Sequence, residues 1–183
     1  MIEHAALARV IAILEEADVP YMVVGSLASA HWGMPRSTND IDIVVELDSR
    51  SVDGLLARLP QDLYYVPETL ARDAVIRRTM FNVIDQETGW KIDLVVRKNR
   101  AFSRTELTRR VRDTAYGTEL WLASPEDTVL VKLEWAKEGD SERHVRDVVG
   151  ILSVRAGELD TGYIDTWADE LGVADKWREL REA

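Results

Sequence analysis

The sequence contains no cysteine among its 183 residues, which excludes disulfides, thiolate metal sites, iron-sulfur clusters and cysteine nucleophiles. It has no apolar run near the roughly 18 residues that span a bilayer. Its first residues, Met1-Ile2-Glu3-His4, lack the basic and then apolar pattern of a signal peptide. We therefore expect a cytoplasmic protein with no membrane partner.

Positive charge is also scarce. The 33 acidic residues outnumber the 23 basic ones, which gives a formal net charge of -10 and a pI of about 4.8. A broad positive field for binding nucleic acid is therefore excluded, and such a partner would need a local basic patch. The concentrated basic stretch is 104–112, R-T-E-L-T-R-R-V-R. It fits a solvated helix face or a nucleic-acid contact, and we favour the helix face.

The composition is typical of a folded α/β protein that forms one functional unit. Hydrophobic residues make up 46% and charged residues 31% of the chain, so a core of ordinary size is expected. Apolar periodicity predicts these elements: helices at 5–14, 27–32, 51–59, 125–137, 141–154 and 163–180, strands at 21–24, 40–46, 91–96 and 119–122, and weaker strands at 63–66 and 80–84. The stretch 71–78 is ambiguous. We predict a mixed α/β core over residues 1–120, with a helical region over 121–183 packed on it.

Three aspartates fall on two strands with matching patterns. Asp40 and Asp42 alternate with apolar residues in D-I-D-I-V-V-E, which places their Cα atoms on one strand face about 7 Å apart. Asp93 has the same place in K-I-D-L-V-V, and pairing of the two strands would bring it beside them. Closely spaced carboxylates repel one another unless a cation lies between them, and oxygen ligands suit Mg²⁺ or Mn²⁺. The alternative is a set of solvated strand-end acids.

A Gly25-Ser26 pair follows the apolar run 21–24 and precedes a short helix. Such a turn offers backbone N–H groups and a hydroxyl to a phosphate, although most Gly-Ser pairs are only turns. The nearby acids favour the phosphate-binding interpretation.

Together these motifs resemble the nucleotidyltransferase superfamily that includes DNA polymerase β and the aminoglycoside nucleotidyltransferases. The stretch V-V-G-S-L-A-S-A-H-W-G-M-P-R-S-T-N-D-I-D-I-V-V carries the resemblance, and K-I-D-L-V-V supplies the third acid. The sequence motif is most similar to that of the toxin-like nucleotidyltransferases of abortive-infection and toxin-antitoxin systems. The motif of that group also includes the residues that stand here as Gly33, Arg36, Thr38 and Ile41. A further element of that group, Arg followed by Lys-Asp-x-x-Asp, is met only in part, by Arg143 and Arg146-Asp147.

The resemblance implies a nucleotidyltransferase-like mixed sheet flanked by helices and a metal-dependent transfer of a nucleoside monophosphate from an NTP to an acceptor hydroxyl. It assigns Asp40, Asp42 and Asp93 as catalytic residues and ligands of Mg²⁺ or Mn²⁺. It assigns nucleotide binding to these residues: Gly25, Ser26, Thr38 and Lys132. Arg36 is expected to brace the loop before Asp40, and a solvated helix lysine is the alternative for Lys132.

The acceptor stays open between RNA, protein and a small molecule. The similarity of the motif to that of toxin-like nucleotidyltransferases implies a possible antitoxin partner. Two alternatives remain: an aminoglycoside-type antibiotic-modifying enzyme, and a catalytically silent module that binds a nucleotide or a partner.

Overall fold

The computed structural model describes residues 2–139, 141–155 and 157–182. Its strands are β1 (Tyr21–Val23), β2 (Asp40–Val45), β3 (Tyr64–Tyr65), β4 (Met80–Asp85), β5 (Lys91–Val96), β6 (Val111–Ala115) and β7 (Thr118–Leu122). Its helices are α1 (Ile2–Glu16), α2 (Gly25–Trp32), α3 (Ser51–Leu56), α4 (Glu68–Arg77), α5 (Ala101–Arg109), α6 (Pro125–Gly139), α7 (Glu142–Arg155), α8 (Thr161–Leu171) and α9 (Ala174–Glu182). Within the described ranges, no helix is both long and apolar enough to cross a membrane.

The strands form one mixed sheet of seven, in the order β3-β4-β5-β2-β1-β7-β6. The central pair, β2 and β5, is parallel, while β1 and β4 run antiparallel to their neighbours β2 and β5. Along β2 the side chains of Ile41, Ile43 and Val45 enter the hydrophobic core, and the alternating positions are only half-buried. The two faces of β2 therefore separate core packing from polar side chains. This architecture confirms the predicted mixed α/β fold with a helical C-terminal part.

Two elements before the C-terminal helices differ from the predictions. The ambiguous stretch 71–78 lies mainly in α4. The strand expected at 119–122 is β7, but it pairs with β6, which was not predicted. The three central residues of β6 are all polar and exposed. Its sequence therefore lacks the alternation of apolar and polar residues that would indicate a strand. The division into domains near residue 120 stays a prediction.

The single helix expected at 163–180 is two helices, α8 and α9. Gly172 adopts a left-handed conformation (φ 67°) and ends α8. The N–H of Val173 donates to the carbonyl of Ala168 at 2.8 Å, which closes the helix end. Ala168 of α8 and Trp177 of α9 are buried in the same core, so apolar residues recur in the sequence on both sides of this break. Periodicity alone therefore predicts one helix where a glycine makes two.

Candidate active site

The sheet brings the three predicted aspartates onto one face of β2 and β5. The two strands pair in register, with Asp42 opposite Asp93 and Asp40 opposite Lys91. Asp40 and Asp42 are half-buried, whereas Asp93 is only 5% exposed. We call this polar face of β2 and β5 the acid face. The predicted juxtaposition is present. Alternation places the acids on the polar face of each strand, and the parallel pairing of β2 with β5 brings them together.

Neighbouring side chains already hold two of these carboxylates. Lys91 Nζ donates to Asp93 Oδ2 at 2.8 Å, and the Asn82 side-chain amide donates to Asp93 Oδ1. The Thr38 hydroxyl donates to Asp40 Oδ1 at 2.7 Å. Thr38 thus orients Asp40 in this structure, while its assignment to nucleotide binding stays a prediction.

The acid face disfavours negative charge at Asp42. Burial raises the pKa of Asp42, and repulsion from Asp40 and Asp93 raises it further, against smaller opposing effects of Lys132 and Lys91. A cation placed among these carboxylates would relieve the repulsion. The site therefore has the electrostatic character of a cation site.

In the part of the chain that the structure describes, no three Asp, Glu, His or Cys side chains converge closely enough to enclose a metal ion. Both oxygens of Asp93 are engaged, by Lys91 and Asn82. Carboxylate oxygens on one face nevertheless match what Mg²⁺ and Mn²⁺ require. The three carboxylates fit such an ion if the ion displaces the Lys91 ammonium from Asp93. The metal-ligand role of the three acids stays a prediction.

The Lys91 ammonium is therefore expected to compete with a metal ion. Lys91→Met should lower the stability of the metal-free protein by about 1 kcal/mol, since the lysine is a partly exposed ion-pair partner. It should also tighten Mn²⁺ binding severalfold, because Asp93 becomes available. Thermal melting with and without Mn²⁺, together with calorimetric titration of Mn²⁺, measures both effects. Lys98→Met, at an exposed lysine outside the acid face, is the matched control. An unchanged Mn²⁺ affinity in Lys91→Met would contradict this role.

The predicted Gly-Ser turn is the first turn of α2, which starts at Gly25 rather than at residue 27. Gly25 has a positive φ of 65°, and a Cβ atom at this position would overlap the Asp42 carboxylate. The preceding N–H, of Val24, donates to the backbone carbonyl of Asp42 at 2.9 Å. The absence of a side chain at Gly25 thus lets the start of α2 lie against the acid face, with Ser26 next in the chain.

Gly25→Ala should disrupt this contact. The left-handed conformation alone costs about 1–2 kcal/mol for a residue with a Cβ atom, and the methyl group would also displace the Asp42 carboxylate. We expect a melting temperature well below wild type and loss of measurable NTP binding by calorimetry. Gly89→Ala is the matched control, because Gly89 has a φ of 74° but open space around it. Equal effects of the two substitutions would show that the contact with Asp42 is unimportant.

Lys132, on α6, is 1% exposed, so it is not a solvated helix lysine. Its Nζ donates to Asp147 Oδ2 at 2.6 Å. Arg36 donates from Nε to Asp147 Oδ1 at 2.8 Å and from Nη2 to Oδ2 at 3.1 Å, and it also donates to the Ser26 hydroxyl. A continuous chain of charge-assisted hydrogen bonds therefore links Ser26, Arg36, Asp147 and Lys132, and we call it the basic network.

The basic network carries two cations and one carboxylate. Burial lowers the pKa of Lys132, and Asp147 opposes that effect. Burial raises the pKa of Asp147, but hydrogen bonds from Arg36 and Lys132 outweigh it and leave the pKa below its ordinary value. Asp42 lies close enough to Lys132 to offset part of its charge, and Arg36 places positive charge at Ser26. Such a charge suits a phosphate group.

Sequence reasoning missed Asp147 as a member of the site. The one signal was the partial match of Arg146-Asp147 to the Lys-Asp-x-x-Asp element. Arg36, in the loop before Asp40, contacts Asp147 on α7 and the Ser26 hydroxyl, and its role in bracing the loop stays a prediction.

No protein-family model matches the sequence, and no curated protein matches it significantly. Solved structures do resemble it. The antibiotic-resistance factor ANT(2'')-Ia superimposes with a TM-score of 0.61 at 12% identity, over 97% of this chain and 91% of that one. An antigenic nucleotidyltransferase-like protein from Paracoccidioides brasiliensis gives 0.60 at 16% identity, over 98% and 92%. The chain has the nucleotidyltransferase fold.

A third structure extends this likeness. The lincosamide antibiotic adenylyltransferase LnuA gives a TM-score of 0.54 at 13% identity, over 81% of this chain and 95% of that one. At such identities the similarity establishes the nucleotidyltransferase fold, and the chemistry must be argued from the acid face and the basic network.

Proposed function

We propose that this protein is a metal-dependent nucleotidyltransferase that moves a nucleoside monophosphate from an NTP to an acceptor hydroxyl. The observation that carries the proposal is the in-register pairing of Asp42 with Asp93, which places three carboxylates beside the first turn of α2. The shared fold supports it. A site that only bound a nucleotide would have no need of carboxylates that repel one another, and this argues against a silent module.

Asp40, Asp42 and Asp93 would hold Mg²⁺ or Mn²⁺. When bound, the metal would neutralise phosphate charge and stabilise the attacking and leaving oxygens of an in-line displacement. The backbone N–H groups at the start of α2 and the Ser26 hydroxyl would bind the triphosphate, with the Arg36 guanidinium beside them. The protein would thereby accelerate the reaction mainly by positioning the substrates and by stabilising the negative charge of the phosphates.

In the proposed transfer the acceptor oxygen attacks the α-phosphorus, and the bond to the bridging oxygen of the β-phosphate breaks to release pyrophosphate. Asp93 Oδ2, once free of Lys91, would take the proton of the acceptor hydroxyl. General-base assistance of this kind contributes about 10²- to 10⁴-fold to a rate.

A small-molecule acceptor is favoured over RNA or protein. The net charge of -10 opposes a large polyanion. The arginines of the basic stretch also contact aromatic rings of the protein: Arg109 lies 3.8 Å from the Tyr163 ring centroid, and Arg110 lies 4.6 Å from that of Trp121. Similar structures contain small antibiotics, adenylyl-2''-tobramycin in ANT(2'')-Ia and lincomycin in LnuA. A toxin role with an antitoxin partner stays a prediction that rests on the sequence motif alone.

The test is incubation with each NTP, labelled in turn at the α- and γ-phosphate, with Mg²⁺ or Mn²⁺ and separate pools of aminoglycosides, total tRNA and protein. The proposal predicts metal-dependent transfer of the α-label to an acceptor and release of the γ-label as pyrophosphate. Release of the γ-label as inorganic phosphate without transfer of the α-label would overturn it. Labelling in the tRNA or protein pool would reassign the acceptor class.

A further inference from the structure

A groove runs between α7 and α9 in the helical C-terminal part of the protein. Two cavities form it, with volumes of about 660 and 400 Å³, and residues of both helices line each of them. The larger cavity lies at the first turns of α7 and α9 and the smaller one at their later turns, so the cavities follow one another along the two helices. We call them together the C-terminal groove. The residues that α7 contributes to it are Glu142, Val145, Arg146, Val149, Leu152 and Ser153.

Helix α7 has one apolar stripe that is buried and another that is open. Val148 and Ile151 are fully buried in the core. Val145, Val149 and Leu152 are spaced by four and three residues, so they share one side of the helix, and all three line the groove. Val149 is 47% exposed. An apolar stripe left in contact with water is typical of a surface that binds another protein.

The larger cavity is lined by cations from two different helices, Lys137 of α6 and Arg146 of α7. Lys137 Nζ donates to the backbone carbonyl of Gly172 at 3.0 Å. In the part of the chain that the structure describes, no carboxylate oxygen lies within 4 Å of the charged nitrogens of either residue. Both cations are therefore available to a ligand.

The two acidic residues of the larger cavity are stabilised in other ways. Arg178 donates to Asp175 at 2.7 Å. Glu142 lies in the first turn of α7, where the positive end of the helix dipole stabilises a carboxylate. A carboxylate from a partner molecule would therefore gain charge-assisted hydrogen bonds from both Lys137 and Arg146.

We propose that the C-terminal groove binds an amphipathic helix of a partner protein, with apolar side chains in the two cavities and a carboxylate between Lys137 and Arg146. Val145 in the larger cavity and Leu152 in the smaller one are about 10 Å apart along α7, at a rise of about 1.5 Å per residue. Side chains at positions i and i+7 of a partner helix have the same spacing, and helices that bind in grooves use such anchors. This inference goes beyond the proposed nucleotidyl transfer and does not depend on it.

A designed peptide tests the groove without any enzymatic reaction. The probe is a fluorescently labelled helical peptide of about 15 residues, long enough to follow α7 along the groove. It consists of alanine, leucine, lysine and glutamate, with leucines spaced by three and four residues, one glutamate in the first and one in the last turn, and two lysines that balance them. A matched peptide has glutamine in place of both glutamates.

We expect saturable binding of the glutamate peptide to the full-length protein by fluorescence anisotropy, and binding about tenfold weaker for the glutamine peptide, which corresponds to about 1.4 kcal/mol. The glutamine peptide is the more positive of the two. General attraction to this acidic protein would therefore change the affinities in the opposite direction. In the double variant Lys137→Met with Arg146→Met, the two peptides should bind equally.

The apolar stripe is tested by two matched variants of α7. Val149→Asp should weaken binding of the glutamate peptide at least about tenfold, because a charge would enter the wall of the groove. Val154→Asp is the control, since Val154 is 52% exposed on the same helix but lies outside the groove. It should bind the peptide as wild type does. If Val149→Asp melts early, a peptide with serine in place of the leucines serves instead and should not bind.

Absence of binding to wild type would overturn the inference. Equal binding by Val149→Asp and Val154→Asp, or by the serine peptide, would also overturn it, as would a preference for glutamate that persists in the double variant. Sedimentation of the protein alone tests a different occupant. A dimer that Val149→Asp dissociates would show that the groove holds a second copy of this chain, and would contradict a partner helix.

Discussion

Asp42→Asn should abolish nucleotidyl transfer while raising the melting temperature of the metal-free protein. Burial raises the pKa of Asp42, and repulsion from the two neighbouring carboxylates raises it further. The isosteric amide would remove the repulsion, worth about 1 kcal/mol, or about 2–4 °C for a chain of this size. The same amide cannot supply an anionic oxygen to Mg²⁺, and a fall of at least about 10²- to 10³-fold in rate is expected.

Thermal melting without metal and turnover at saturating Mg²⁺ measure the two effects in the same preparation. Asp62→Asn is the control, because Asp62 is exposed and lies outside the acid face. It should change neither quantity. Turnover near the wild-type rate in Asp42→Asn would remove this residue from the site, and a lowered melting temperature would show that its role is structural.

Asp147→Ala should have the largest effect on stability. It would leave the buried Lys132 ammonium and the Arg36 guanidinium without their shared partner. Removing one partner of a buried ion pair typically costs about 3–5 kcal/mol, which for this chain corresponds to a fall in melting temperature on the order of 10 °C. Glu179→Ala, which breaks the exposed pair with Lys176, should cost less than about 1 kcal/mol.

The double variant Lys132→Met with Asp147→Ala isolates the pair. Its destabilisation should be smaller than the sum of the two single losses, because the unpaired buried ammonium is gone. Strictly additive losses would contradict a direct interaction. The contribution of Asp147 also has a defined pH dependence: its pKa lies below the ordinary 3.8, so the stabilisation is present above that pH and is lost as the pH falls through the lowered pKa.

The acid face could be predicted because its cause is local. Side chains alternate along a strand, so D-I-D and K-I-D each place their acids on one face, and the shared pattern favours pairing of the two strands. The Gly25-Ser26 turn was also visible, since it follows a short apolar run, although α2 begins at this turn and not at residue 27. Local sequence thus determines the strand face that each acid occupies, whereas the pairing of Asp42 with Asp93 is a contact between distant parts of the chain.

The basic network could not be predicted in the same way. Arg36 and Asp147 are 111 positions apart, and nothing in the sequence near either one specifies their contact. Lys132 occupies a helix, where charged residues usually face solvent. Its burial comes from packing of α6 on the sheet. Tertiary packing thus converts an ordinary helix charge into a site residue.

The acid face is proposed to hold the nucleotide together with its cation. Paramagnetic broadening by Mn²⁺ tests it directly, measured on the backbone amide resonances of wild type at substoichiometric Mn²⁺ with a non-hydrolysable NTP analogue. We expect selective loss of the amide signals of Gly25, Ser26, Asp42 and Asp93, with none of these losses in Asp42→Asn. Broadening centred on any other part of the sheet, or broadening at these amides that persists in Asp42→Asn, would contradict it.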